Sequence, residues 1–152
     1  MPRFLGIDYG QKRVGLALSD EAAIIAMPLE VLTVQHPNQA VAAVCRVCQE
    51  REVAGIVIGL PLNMNGSQGP SAEAAKAFGE RLRSQRALPV EFWDERLSSQ
   101  QAERVLIDAD VRRSKRKTVI DMLAAQTILQ SWLDRRQARV AQARDAMSGS
   151  DS

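Results

Sequence analysis

Acidic residues stand at three places in this chain where plain surface charge is an awkward explanation: Asp8, the pair Asp94 and Glu95, and Asp121. Asp8 sits in the apolar stretch RFLGIDYG with no charge partner nearby in sequence, and Gly6 and Gly10 clear its side of the chain. Asp94 and Glu95 close the apolar run that begins at Val90, and strand ends are the usual place for site residues in an α/β sheet. Asp121 lies near the start of VIDMLAAQTILQSWL, a segment apolar almost all round and so predicted to form a largely buried helix. A carboxylate taken out of water costs several kcal/mol unless something pairs with it. Carboxylates converging on one groove suit Mg²⁺ or Mn²⁺, which prefer hard oxygen ligands. Two such ions can activate water and stabilise the leaving oxygen in phosphodiester hydrolysis. Crowded like charges repel without metal, so metal binding is expected to stabilise the fold.

Each acid also has a plainer reading. Asp8 can bond to a neighbouring turn amide. Asp94 can cap a following turn or pair with Arg96. Thr118-x-x-Asp121 can be a capping box, with the acid favoured by the helix dipole.

The elements that must position these groups are legible from periodicity. Residues 3–8 and 13–19 read as strands joined by the turn Gly10-Gln11-Lys12-Arg13, and residues 24–32 as a third strand in an antiparallel meander. Side chains alternate between faces. Leu5, Ile7, Tyr9, Val14, Leu16 and Leu18 can therefore be covered by a helix, and Gly6, Asp8, Gly10, Gly15, Ala17 and Ser19 form a shallow floor carrying one carboxylate. A helix over 38–52 follows, with Asn38 as N-cap, then the doubly buried strand Val53–Leu60. A helix over 71–85, a strand over 90–94, and a helix from a Ser98/Gln101 capping box to about residue 108 come next. The basic segment after it reads as a loop, and the last helix as spanning 119 to 139 or beyond. Strands separated by helices connect as right-handed parallel crossovers. The expected fold is α/β: a five-stranded mixed sheet, an antiparallel three-strand meander plus two parallel strands, with helices on both faces. Residues 1–139 read as a single domain, and 140–152 as a disordered tail ending in the small polar run AMSGSDS.

Arg112, Arg113, Lys115, Arg116 and Lys117 cluster just before Asp121, where they can bind phosphate or simply be solvated. Arg135, Arg136, Arg139 and Arg144 read as the wet face of the last helix. Asn63, Asn65, Ser67 and Gln68 in the loop after the fourth strand can contact sugar and phosphate, or be ordinary turn residues. That loop lacks the Walker spacing. Cys45 and Cys48 fall inside a helical run and read as packing residues, and His36 as a loop residue. With one histidine, the 152-residue chain has no serine triad or zinc set, and its formal net charge of +2 does not by itself announce nucleic acid. No apolar run is long enough to span a bilayer and no signal-peptide pattern opens the chain, so a cytoplasmic address is expected, with no membrane partner.

The blocks GIDYGQKRVGLALSD, GLPLNMNGSQG, DERLSS and KRKTVIDMLAAQTILQSWL, in this order, resemble the YqgF family of ribonuclease H-like proteins. Its members are described as pre-16S ribosomal RNA nucleases and as Holliday junction resolvases. The resemblance runs from about residue 4 to residue 133 and implies a ribonuclease H-like fold, divalent-metal nuclease chemistry and a cytoplasmic role in ribosome biogenesis. It makes Asp8 the central metal ligand, Asp121 the ligand from the closing helix, and Glu95 the third, with Asp94 as substitute. Related resolvases place a glutamate at the end of the fourth strand, where this chain has Gly59-Leu60-Pro61. Arg13 and Lys117 match basic positions of the family pattern, and with Arg96, Arg116, Asn63, Asn65 and Ser67 they are the expected nucleic-acid contacts. The implied partner is pre-rRNA or branched DNA, and the protein is expected to be a monomer or weak homodimer. A non-catalytic nucleic-acid or transcription-associated factor on the same scaffold is the alternative of a different class. An actin-like phosphotransferase would need a longer, two-lobed chain.

Overall fold

Alternation along the first two strands decides the architecture. The computed structural model describes residues 3–86, 88–97 and 113–149, with side chains along the last helix described from 120 to 147. Its strands are β1 (Arg3–Tyr9), β2 (Arg13–Ser19), β3 (Ala26–Thr33), β4 (Val53–Leu60) and β5 (Val90–Asp94). They form one sheet in the order β3-β2-β1-β4-β5, antiparallel from β3 to β1 and parallel from β1 to β5. The helices are α1 (Pro37–Glu50), α2 (Pro70–Gln85) and α3 (Arg113–Gly149), with a short 3₁₀ turn at Glu95–Leu97. The predicted meander and its two parallel additions are present, with helices on both faces.

On one face Leu5, Ile7, Val14, Leu16 and Ile58 pack against α1 and α2, including Val44, Phe78 and Leu82. On the other, Ala17 and Val57 pack under Ala125, Ile128, Leu129 and Leu133 of α3. The small-residue face is therefore a seat for a helix, not an open floor. A Cβ at Gly6 would lie 2.6 Å from Leu129 Cβ, and one at Gly15 would lie 2.2 Å from the Asp121 carbonyl oxygen. Small side chains on this face let α3 approach the sheet backbone, and Asp8, half-buried, lies at the end of that seat.

Several element ends differ from the sequence reading, most by one or two residues. α1 is capped by His36, whose Nδ1 accepts from the Asn38 amide at 3.1 Å, with Pro37 at the first helical position; Asn38 is not the cap. Pro37 has its φ preset for helix and no amide to satisfy, so it starts the helix one residue early. Strand β3 begins at Ala26, because the Asp20 carboxylate ties the Ile24 and Ile25 amides into the preceding turn at 2.7 and 3.0 Å. The basic segment from Arg113 is helical, not a loop, and α3 continues to Gly149, so residues 140–149 are helical where a disordered tail is expected. Arginine, lysine and alanine are good helix formers, and nothing from 113 to 148 is proline or glycine to stop them. The expected helix over 98–108 lies outside the described residues.

Candidate active site

The sheet register sets the candidate residues on one row. Asp8 of β1 pairs with Gly15 of β2. Ile7 pairs with Ile58 of β4, which brings the next residues, Asp8 and Gly59, abreast; Gly59 in turn pairs with Trp93 of β5. Neighbouring strands lie about 4.8 Å apart, and paired residues point to the same face. The row thus reads Gly15, Asp8, Gly59, Trp93, facing α3. Glycine on either side of Asp8 leaves room for groups arriving from outside the sheet. The Asp121 backbone closes over Gly15. The Glu95 carboxylate comes over Gly59, where a Cβ would stand 2.7 Å from Oε1. Two carboxylate-bearing residues distant in sequence, Glu95 from the turn after β5 and Asp121 from α3, thus lie on either side of Asp8 in β1.

Their side chains do not converge into a ready-made cation cage. Among the described residues no three His, Cys, Asp or Glu groups are placed to hold an ion. Asp121 sits about two turns into α3, so it caps nothing, and its Oδ2 accepts from Arg13 Nε at 2.7 Å. Neither Asp8 nor Glu95 is without an interaction partner. The donors are hard carboxylate oxygens, with Asp8 and Asp121 only half-buried, and as a set they fit Mg²⁺ or Mn²⁺. No thiol competes: Cys48, on the far face, is buried, and desolvation pushes its pKa up to about 11.

Asp94 has a different job from Glu95. Its Oδ2 accepts from Arg96 Nη2 at 2.7 Å and its Oδ1 from the Arg96 amide at 2.9 Å, closing the 3₁₀ turn. Arg96 Nη1 also donates to the Met64 carbonyl at 3.2 Å, tying this turn to the loop after β4. The Arg96 side chain, above all, holds Asp94 below the ordinary carboxylate range. A folded-state pKa below the unfolded value gives stability that is present above about pH 4 and is lost as pH falls through the folded value. Asp94→Asn should therefore flatten the acid limb: the urea midpoint of the parent should fall more steeply between pH 5 and pH 2.5 than that of the variant.

The loop's polar residues are committed to one another. The Asn65 side chain accepts from Ser67 Oγ at 2.6 Å and from the Ser67 amide at 3.0 Å, and Asn63 Nδ2 donates to Ser67 Oγ at 2.9 Å. Gly66, at φ 86°, makes the turn and faces the Arg96 guanidinium. Asn63, Asn65 and Ser67 thus shape an exposed loop pinned beside Glu95 by Arg96, a part for Arg96 that sequence reasoning missed. The side chains of Arg116 and Lys117 lie outside the described residues.

Residues 2–135 match the RuvX family, described as Holliday junction resolvase. The chain belongs to this family, the one its sequence blocks resemble. A Symbiobacterium thermophilum protein named "Putative pre-16S rRNA nuclease" is 49% identical over 137 residues, 90% of this chain and 95% of its own. A Myxococcus xanthus protein of the same name is 46% identical over 132 residues, 87% of each chain. Among solved structures, RuvC of T. thermophilus in complex with a Holliday junction substrate superposes with a TM-score of 0.60 at 14% identity, covering 91% of this chain and 97% of that one. The RuvX-family chain therefore has the ribonuclease H-like fold and belongs with nucleases, as expected from its sequence.

Proposed function

We propose that this RuvX-family chain is a divalent-metal-dependent endonuclease that hydrolyses phosphodiester bonds of precursor 16S ribosomal RNA in the cytoplasm, the residues up to about 139 working as one domain. The observation that carries this reading is the row on which Asp8 stands between two glycines, with Glu95 brought over one and Asp121 over the other. Mg²⁺ or Mn²⁺ held by Asp8, Glu95 and Asp121 would supply a metal-activated water and stabilise the leaving oxygen. Arg13 would hold Asp121 in place and present a guanidinium to a phosphate beside the row. Arg96 fixes the Asn63–Ser67 loop as a wall along which a backbone can lie. The precursor-RNA assignment leans on the names carried by relatives nearly half identical to this chain. Among the described residues no helix is long and apolar enough to cross a membrane.

Branched DNA is the second reading, favoured by the description of the family itself. The two separate in one competition. With Mg²⁺ or Mn²⁺ at equal salt, the protein should cut a 5′-extended 16S precursor and leave a four-way DNA junction intact, and EDTA should stop the reaction. Preferential cutting of the junction would reverse the substrate assignment. Failure to cut either, with Asp8→Asn still functional in cells, would make the protein a non-catalytic binding factor.

A further inference from the structure

Arg135, Arg136 and Arg139 of the last helix, expected from sequence to belong only to a solvated face, form one wall of a pocket. It has a volume of about 270 Å³ at the β5 edge, lined by Trp93, Trp132, Arg135, Arg136, Arg139 and Glu91. Its aromatic wall is pinned: the Trp93 indole donates to Ser131 Oγ at 3.2 Å, and the Trp132 indole donates to the Glu91 carboxylate. Arg136 lies over the Phe4 ring, 5.2 Å from its centroid, and Phe4 packs on Trp132 with centroids 4.7 Å apart. That stack holds Arg136 in the wall and leaves Arg135 and Arg139 exposed at the rim. Three guanidiniums face one carboxylate, which is already engaged by an indole.

We propose that this pocket is a second nucleic-acid contact, in which Arg135 and Arg139 bind backbone phosphates of a strand that extends from the Asp8 row. Two placements favour nucleic acid as the occupant. β5 carries Glu91 and Trp93 at the pocket and leads directly to Glu95, so pocket and row share one strand. Arg136 lies fifteen residues after Asp121 on the same helix, about 22 Å along its axis. That span is on the order of several nucleotide steps of a bound strand. Arginine pairs with phosphate through a planar fork, and clustered guanidiniums beside aromatic rings are the equipment of a backbone-binding surface. Arg135 is the last residue matched to the family, and Arg136 and Arg139 lie just beyond it.

The inference rests on the nuclease reading only for what the bound strand is doing there, and its test is independent of cleavage. The full chain and its Arg135→Gln/Arg139→Gln variant would be titrated with a fluorescein-labelled RNA duplex in EDTA across a KCl series. The variant should bind severalfold more weakly and lose about one from the slope of log K against log salt for each arginine removed. Arg135→Lys/Arg139→Lys should keep the slope, since it keeps the charges. An unchanged slope in the glutamine variant, with circular dichroism unchanged, would overturn the contact whether or not the protein cleaves RNA. Equal weakening for an acidic peptide probe would also overturn it, by making the pocket a protein-docking surface.

Discussion

Asp8→Asn is expected to lower phosphodiester cleavage about 10³-fold while leaving RNA binding intact or tighter. The magnitude is that of removing one pre-organised charged group from a reaction centre, about 4 kcal/mol of transition-state stabilisation. The direction of the binding change follows from charge. Asp8 is the central residue of a row flanked by Glu95 and Asp121, and a phosphate approaching that row meets less repulsion when one carboxylate becomes an amide. Single-turnover cleavage at saturating protein, paired with an anisotropy titration in EDTA, separates the two effects. Loss of binding together with cleavage would mean that Asp8 supports the fold instead. Thermal unfolding of the same variant would show that directly.

Gly15→Ala should destabilise the protein by about 3 kcal/mol, toward the upper end for overpacking of a well-packed site. The added methyl would lie 2.2 Å from a helix carbonyl, that of Asp121, and backbone cannot turn aside as a side chain can. α3 would have to lift from the sheet at the point where Asp121 lies over Gly15, the strand partner of Asp8. In a chain of this size such a loss corresponds to a fall in Tm of roughly 6–12 °C. Gly55→Ala is the comparison, because its Cβ would press on the Phe4 ring at 3.1 Å, a side chain that can shift, and would meet backbone only at the ordinary 3.8 Å of the Pro89 carbonyl oxygen. Similar Tm values for the two variants would contradict the close seat of α3.

These two expectations mark what the sequence makes legible and what it hides. The alternation of Leu5, Ile7 and Tyr9 with Gly6, Asp8 and Gly10 is enough to place Asp8 on a small-residue face, and the spacing of strands and helices gives the mixed sheet. Periodicity cannot say that this face is covered, because a run of small residues reads equally as an open floor and as a helix seat. Only the register of α3, with Leu129 over Gly6 and Asp121 over Gly15, distinguishes them. Asp94 and Glu95 are adjacent in sequence, so composition cannot choose between them. In the fold Arg96 takes Asp94, and the turn carries Glu95 toward Gly59. The Arg13–Asp121 pair spans 108 positions, and no local pattern announces it. Thr118-x-x-Asp121 looked like a helix start because capping patterns are local, whereas the helix had begun earlier among residues of high helix propensity.

Anomalous diffraction from crystals soaked in Mn²⁺ tests the central claim most directly. An ion is expected at the Asp8 row, coordinated by oxygens of Asp8 and Glu95 with Asp121 completing an octahedral, all-oxygen set. Crystals that take up no Mn²⁺ at this row, with Asp121 still bound to Arg13, would contradict it.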